Sequence, residues 1–283
     1  MNQLQELYQK FKGLMLNELT PRSLDNTWRI IREDLEVAST LRSGATTLDQ
    51  WLEKVEDIAN KLKKGMPVQY VTGRSIFYGL ELIVNEQVLI PRPETEELVH
   101  WILETLEEDD RFSKRISALE VGVGSGCISL ALRSENDLFQ MTGVDISPEA
   151  LKVARLNADR LGLPLVLNEM NFLEKSSWDS LSTYDILVSN PPYITTDEMS
   201  MMESNVLDYE PSIALFVEDD PLVFYKAILD FSKDHLNAGG YVFAESNEFY
   251  TDEVKALWEA GGLKEVVVKK DMQYKPRMIR ARI

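Results

Sequence analysis

LEVGVGSGCISLAL, residues 119–132, runs from an apolar segment through three alternating glycines into a second apolar segment. The pattern reads as a strand turning tightly into a helix. Glycines at 122, 124 and 126 are required there if a ligand must approach the backbone closely. A dinucleotide-binding fingerprint wants its third glycine at position 127, where Cys127 stands instead. The GxGxG spacing suits a cofactor without a pyrophosphate. Tight glycine turns occur in many α/β proteins, so the weight of this one depends on its surroundings.

Downstream of Ser113 the chain alternates between strand-like and helix-like segments, the signature of a parallel sheet covered on both faces. Strands fit at Ile116–Val121, Met141–Ile146, Pro164–Met170, Asp185–Ser189 and Tyr241–Ala244. Ser147-Pro148-Glu149 is a helix start, with a capping serine and a proline at the first helical position, and Gly162 is placed to end that helix. At the tail, KEVVVKK and RMIRARI are separated by a few residues and should pair as an antiparallel hairpin. An open parallel sheet ending in such a hairpin is an uncommon variant of the doubly wound fold, and it favours the methyltransferase form.

Upstream, the apolar period is helical. Leu4, Leu7, Phe11 and Leu14 share a face, as do Leu24, Trp28, Ile31 and Leu35, then Leu48, Leu52, Val55, Ala59 and Leu62. Thr47 and Gln50 make a capping box for the third stripe. These are core seams of a small helical bundle, a kind of domain that often serves as a docking surface. Gly65 and Gly73 bracket MPVQYVT, and β-like runs follow at Ser75–Phe77 and Glu81–Val84. The expected division is a helical docking domain at 1–64, a linker with a β-hairpin at 65–90, and a catalytic domain at 91–283.

Composition narrows the function classes. The 283 residues carry a formal net charge of -17, which disfavours non-specific binding to a nucleic-acid backbone, since that binding rewards Lys and Arg. One cysteine excludes an internal disulfide, and with two histidines it argues against a zinc site; no metal is expected. No apolar run is long enough to cross a bilayer, and the first residues, MNQLQELYQKFKGL, hold no secretion-type apolar core. A cytoplasmic monomer without membrane contact is the expectation.

Two features turn the glycine loop into a site. Asp145 ends the second strand, where a carboxylate can accept both ribose hydroxyls of an adenosine. SNPPYI, residues 189–194, follows the fourth strand, whose carboxyl end should neighbour that of the first across the topological switch point. Asn190 would then face Gly122–Gly126. A hydride-transfer enzyme has no evident use for this stiffened corner. Methyl transfer to a planar nitrogen does, because the lone pair of such a nitrogen is delocalised and poorly nucleophilic. If the Asn190 side-chain oxygen and the Pro191 carbonyl accept its two N–H groups, the lone pair is held toward the methyl donor. The same two dipoles stabilise the positive charge that grows on nitrogen. Tyr193 offers an aromatic face for stacking.

The glycine loop, Asp145 and NPPY together resemble the amino-methyltransferases that depend on S-adenosylmethionine. PVQYVTG at 67–73, FYG at 77–79, VLIPRPETEELV at 88–99 and VLDYEPSIAL at 206–215 extend the resemblance through most of the chain. Within that group the match is to the release factor glutamine methyltransferases. The resemblance implies a Rossmann-like S-adenosylmethionine-dependent methyltransferase sheet with a terminal antiparallel hairpin, preceded by a small helical bundle. It implies transfer of a methyl group to the side-chain amide nitrogen of the glutamine in the GGQ motif of peptide chain release factors. By position, Gly122, Val123, Gly124, Ser125, Gly126, Asp145, Phe172 and Asn190 would hold the cofactor, with Phe172 against the adenine. Asn190, Pro191, Pro192 and Tyr193 would bind the glutamine amide, with Asn190, Pro191 and Tyr193 catalytic. A core aromatic is an equal reading of Phe172. Pro91, Arg92, Thr95 and Glu96 match the family loop over the methionine end of the cofactor, and salt bridging or helix capping explains them equally well.

The chain departs from the family pattern in places. Glu120 replaces a commoner aspartate and, being longer, should still reach the cofactor; VEDDPL at 217–222 lacks a glycine pair, ESNE at 245–248 replaces E-I-G, and MQYKPR lacks a glycine. Three alternatives remain: a ribosomal-protein glutamine methyltransferase, disfavoured by YEPSIAL; a nucleic-acid adenine methyltransferase, disfavoured by the acidic balance; and a non-catalytic module on the same fold.

Overall fold

The computed structural model describes residues 3–41, 47–218 and 220–283, which divide into two compact units, 1–74 with 203–209 and the rest of the chain. In the first unit, helices Gln3–Met15, Pro21–Leu41 and Leu48–Lys63 bury Leu7, Phe11, Met15, Leu24, Ile31, Leu35, Val55, Ile58 and Ala59 as one core. Most are inward positions of the three apolar stripes; Met15 and Ile58 join them from outside the stripes, while Leu4 and Leu14 stay half-buried. Truncating a side chain as enclosed as Phe11 or Ile31 to alanine costs about 2–5 kcal/mol. Thr47 and Gln50 form the expected capping box on the third helix. A short helix, Val68–Thr72, follows and ends at Gly73 in the left-handed conformation.

The second unit is α/β. Its strands are β1 (Arg74–Phe77), β2 (Leu80–Ile83), β3 (Ile116–Val121), β4 (Phe139–Asp145), β5 (Val166–Glu169), β6 (Tyr184–Ser189), β7 (Ile194–Thr195), β8 (Phe216–Val217), β9 (Leu236–Glu245), β10 (Lys264–Lys270) and β11 (Pro276–Arg282). Seven form the central sheet in the order β10-β11-β9-β6-β3-β4-β5. β11 is antiparallel to both β9 and β10, while β9, β6, β3, β4 and β5 are mutually parallel. Alternate residues of the central strands feed opposite cores. Leu119, Leu187, Val242 and Ala244 pack with Trp178, Tyr225, Phe231 and Trp258. Ala118, Ile186, Val188 and Phe243 pack with Leu98, Trp101, Ile102, Ile128 and Leu132 on the other face.

Some strand limits differ from those read in the sequence. β4 starts two residues early and stops at Asp145, because the Asp145 carboxylate accepts the Ser147 amide and turns the chain there. β5 starts at Val166, since Pro164 has no N–H to give the ladder. The β1–β2 hairpin is tied into the second unit by the fully buried Asn157. That side chain accepts the Ile83 amide at 2.7 Å and donates to the carbonyls of Ile83 and Ser125. One amide therefore links the hairpin to the glycine loop.

Candidate functional site

The carboxyl ends of β3, β4, β6 and β9 meet at one edge of the sheet. After β3 the chain turns through Gly122, Gly124 and Gly126 with φ of +72°, +52° and +83°, a run that L side chains rarely adopt. The amides of Gly122 and Val123 both donate to the Val144 carbonyl, pinning the loop to β4. Gly124 donates to Asp145 Oδ2 at 2.9 Å, and Ser147 donates to Oδ1 at 2.9 Å. Each carboxylate oxygen accepts from a backbone amide and keeps further accepting capacity. A methyl carbon added to Gly122 would stand 3.9 Å from the Asn190 carbonyl oxygen, so the loop and the NPPY corner lie face to face. The parallel register Val121↔Ser189 produces that approach.

A cavity of about 520 Å³ lies between them. Gly122, Val123, Gly124, Ser125, Asp145, Phe172, Asn190 and Pro192 all line it, as do Pro91, Arg92 and Thr95. Gly126, Pro191 and Tyr193 are not among its lining residues. Gly126 starts the helix beneath the loop, packed toward Leu130 and Ala154. Tyr193 directs its hydroxyl to Glu245 Oε1 at 3.0 Å. Phe172 lines the cavity while its ring tilts against Trp178 and Phe231 in the core.

The LIPRPETE segment works through its side chains. Arg92 pairs with the buried Glu210 at 2.5 Å, and Glu210 also accepts the Ile90 amide. Glu96 accepts the Tyr78 amide at 2.7 Å. Thr95 bridges Asn190 and Glu245. Val217, Glu218 and Asp220 of the divergent VEDDPL segment line the cavity, while Asp219 lies outside the described residues. Sequence reading missed the place of Glu245 within ESNE, although an acidic residue closing the apolar run YVFAE was a signal.

Residues 99–207 match the family model described as "Methyltransferase small domain". The chain is 38% identical over 257 residues to a "Release factor glutamine methyltransferase" of Flavobacterium psychrophilum, covering 88% of this chain and 85% of that protein. It is 35% identical over 265 residues to one of the same name from Lactococcus lactis subsp. lactis, covering 92% and 93%. The chain belongs to the release factor glutamine methyltransferase family. A methyltransferase of Pyrococcus furiosus, 19% identical with a TM-score of 0.51, shares the fold over 72% of this chain and 89% of its own.

In this member of the release factor glutamine methyltransferases, burial raises the acids of the site above the usual carboxylate range. Glu120, fully enclosed, is pushed up to about 8 by desolvation, against which the Ser129 amide and hydroxyl donate to its Oε2. Desolvation also raises Asp145, opposed by the backbone donors of Ser147, Gly124 and Ile146. The Tyr193 hydroxyl is raised by burial and by the neighbouring Glu245, so it stays protonated and donates. Burial likewise raises the Cys127 thiol, which leaves it a poor nucleophile.

Proposed function

We propose that this chain transfers a methyl group from S-adenosylmethionine to the side-chain amide nitrogen of the glutamine in the GGQ motif of peptide chain release factors. The observation that carries this reading is the placement of Asn190 on the same cavity as the glycine loop and Asp145, in a chain of this family. The residues present fit the cofactor. Asp145 has accepting capacity left for ribose hydroxyls, and buried Ser125 Oγ has no partner within the protein. The positive-φ glycines leave the loop backbone open to close approach.

The bound cofactor supplies an electrophilic methyl group on a sulfonium. Asp145 holds the ribose end and the glycine loop the remainder, which fixes the direction from which the acceptor must approach. Asn190 Oδ1 and the Pro191 carbonyl accept the two N–H groups of the glutamine amide, orienting its lone pair and stabilising the positive charge that grows on nitrogen. Pro192 stiffens the corner, and Tyr193 is anchored behind it by its hydroxyl on Glu245. The methylated nitrogen is acidic and loses its proton without a strong base. The N-terminal helices offer a second contact for the release factor, which would raise the effective concentration of its loop. Among the described residues no helix is long and apolar enough to cross a membrane, and we read the protein as a cytoplasmic monomer. Incubation with methyl-labelled cofactor and cell extract should label a single band identified as a release factor.

Asp145→Ala should weaken cofactor binding on the order of 10- to 100-fold, the loss of about two hydrogen bonds of 0.5–1.5 kcal/mol each plus some loosening of the glycine loop. The protein should still fold, with a melting temperature lowered by a few degrees because the amides of Gly124 and Ser147 lose their acceptor. Unchanged affinity by calorimetry would remove Asp145 from the cofactor site.

Binding should also release protons. Glu120 has a folded pKa raised to about 8 from 4.5, so its contribution to stability is complete below about pH 4.5 and declines as pH rises to 8. A cationic ligand in the cavity that Glu120 lines favours its carboxylate. At pH 7 the binding enthalpy should therefore depend on the ionisation heat of the buffer, and Glu120→Gln should reduce that dependence. Identical enthalpies in phosphate and Tris would contradict this.

A further inference from the structure

Glu245 closes β9 with 2% of its surface exposed, a carboxylate inside an apolar sheet. Its two oxygens have separate occupants. Oε2 accepts the Thr95 hydroxyl at 2.6 Å, and Oε1 accepts the Tyr193 hydroxyl at 3.0 Å. Thr95 Oγ1 in turn lies 3.1 Å from Asn190 Nδ2. Burial pushes Glu245 up, while the hydroxyls of Thr95 and Tyr193 and the charge of Arg277 pull it back toward the ionised form.

The direction of this chain of bonds follows from donor counting. Thr95 and Tyr193 both donate to Glu245, so both hydroxyl protons point at its carboxyl oxygens. Thr95 has one proton, and it is spent there. Its oxygen can then only accept from Asn190, and the group facing it must be the NH2 end of that amide. The Asn190 carbonyl oxygen is turned away from Thr95. With the amide reversed, two acceptors would face each other at Thr95 and an NH2 would be offered to the glutamine NH2.

We infer that Glu245 is a positioning residue for methyl transfer: through the Thr95 hydroxyl it sets which end of the Asn190 amide is offered to the acceptor, and through Tyr193 it holds the other half of the corner. Thr95 then acts on Asn190, a different task from covering the methionine end of the cofactor. The inference rests on the role given to Asn190 under Proposed function.

Thr95→Val keeps the shape and removes the hydroxyl, Thr95→Ser keeps the hydroxyl, and Glu245→Gln supplies a donor where only acceptors stand. Turnover and KM would be measured on purified release factor, and cofactor affinity by calorimetry. Exchange of the Asn190 side-chain amide protons would be followed by nitrogen-15 NMR in the ligand-free protein. Thr95→Val should lower kcat on the order of 100-fold, as expected for a misoriented catalytic group, with KM and cofactor affinity little changed. Thr95→Ser should recover most of the loss. One Asn190 amide proton should exchange slowly in the native protein and in Thr95→Ser, and fast in Thr95→Val. Glu245→Gln should lower kcat likewise; if its melting curve shows that it does not fold, the threonine pair carries the test. Near-native kcat in Thr95→Val, or a fall in cofactor affinity matching the fall in kcat, overturns the inference. If Asn190→Ala remains inactive in that case, the proposed function stands and only the role of Glu245 fails; an active Asn190→Ala would instead remove the proposed function itself.

Discussion

Asn190→Ala should reduce methyl transfer on the order of 100- to 1000-fold, the usual consequence of removing one preorganised dipole from a site of developing charge. The cofactor affinity should fall far less. The separation follows from geometry. Asn190 lines the cavity beside the glycine loop, but the backbone bonds that shape that loop run to Val144 and Asp145, not to Asn190. What alanine removes is the amide whose nitrogen is engaged by Thr95 and whose oxygen would be left for the acceptor. Asn190→Asp is a useful companion, since a carboxylate keeps an oxygen but has no N–H for Thr95, and it should also be poor. Initial rates on release factor with titration calorimetry decide the matter. Turnover near that of the native protein in Asn190→Ala would end the fixed-nitrogen mechanism.

Local patterns identified the sheet and residues that line the cavity, and missed what depends on distant residues. The glycine loop, the Ser147-Pro148 helix start and the tail hairpin are each written in a few neighbouring residues, and each stands where those residues place it. β9 is different. Its first half, LNAGG, lies outside the strand read at Tyr241–Ala244, yet the strand begins at Leu236. Gly240 packs so closely that an added methyl carbon would lie 2.7 Å from the Asp185 carbonyl oxygen, and the pairing with β6 shifts register in that stretch. The glycine permits an irregular strand there instead of ending one. The short helix Val68–Thr72 is too brief to show a period. Glu245 lies 150 residues from Thr95 and 52 from Tyr193, so their hydrogen bonds leave no mark on sequence spacing. LIPRPETE was recognised as a unit, but the structure divides its work: Arg92 and Glu96 tie segments together, and Thr95 reaches the acceptor corner.

Replacing the acceptor glutamine of a release factor by alanine should abolish labelling completely, and neither duplex DNA nor ribosomal RNA should accept methyl in its place. A corner that offered acceptor oxygens at Asn190 would take a planar NH2, and a carboxamide at a loop tip and an exocyclic amine on a base both present one. The surroundings discriminate. A base must be extruded from its stack at a cost of a few kcal/mol and then held by phosphate contacts, which need Lys and Arg. This chain has a net charge of -17. Of the positive residues near the Glu245 end of the sheet, Lys275 is paired with Glu248 and Arg277 with Asp271. The segments flanking that end instead expose Phe249, Met272 and Tyr274, side chains that suit an apolar protein contact. A glutamine on a protein loop pays no unstacking cost and brings a folded surface with it. Labelled methyl, counted after separation of protein and nucleic acid, reads the outcome directly. Labelling that survives the glutamine change, or methyl found on nucleic acid at comparable rates, would show that the corner accepts a different nitrogen.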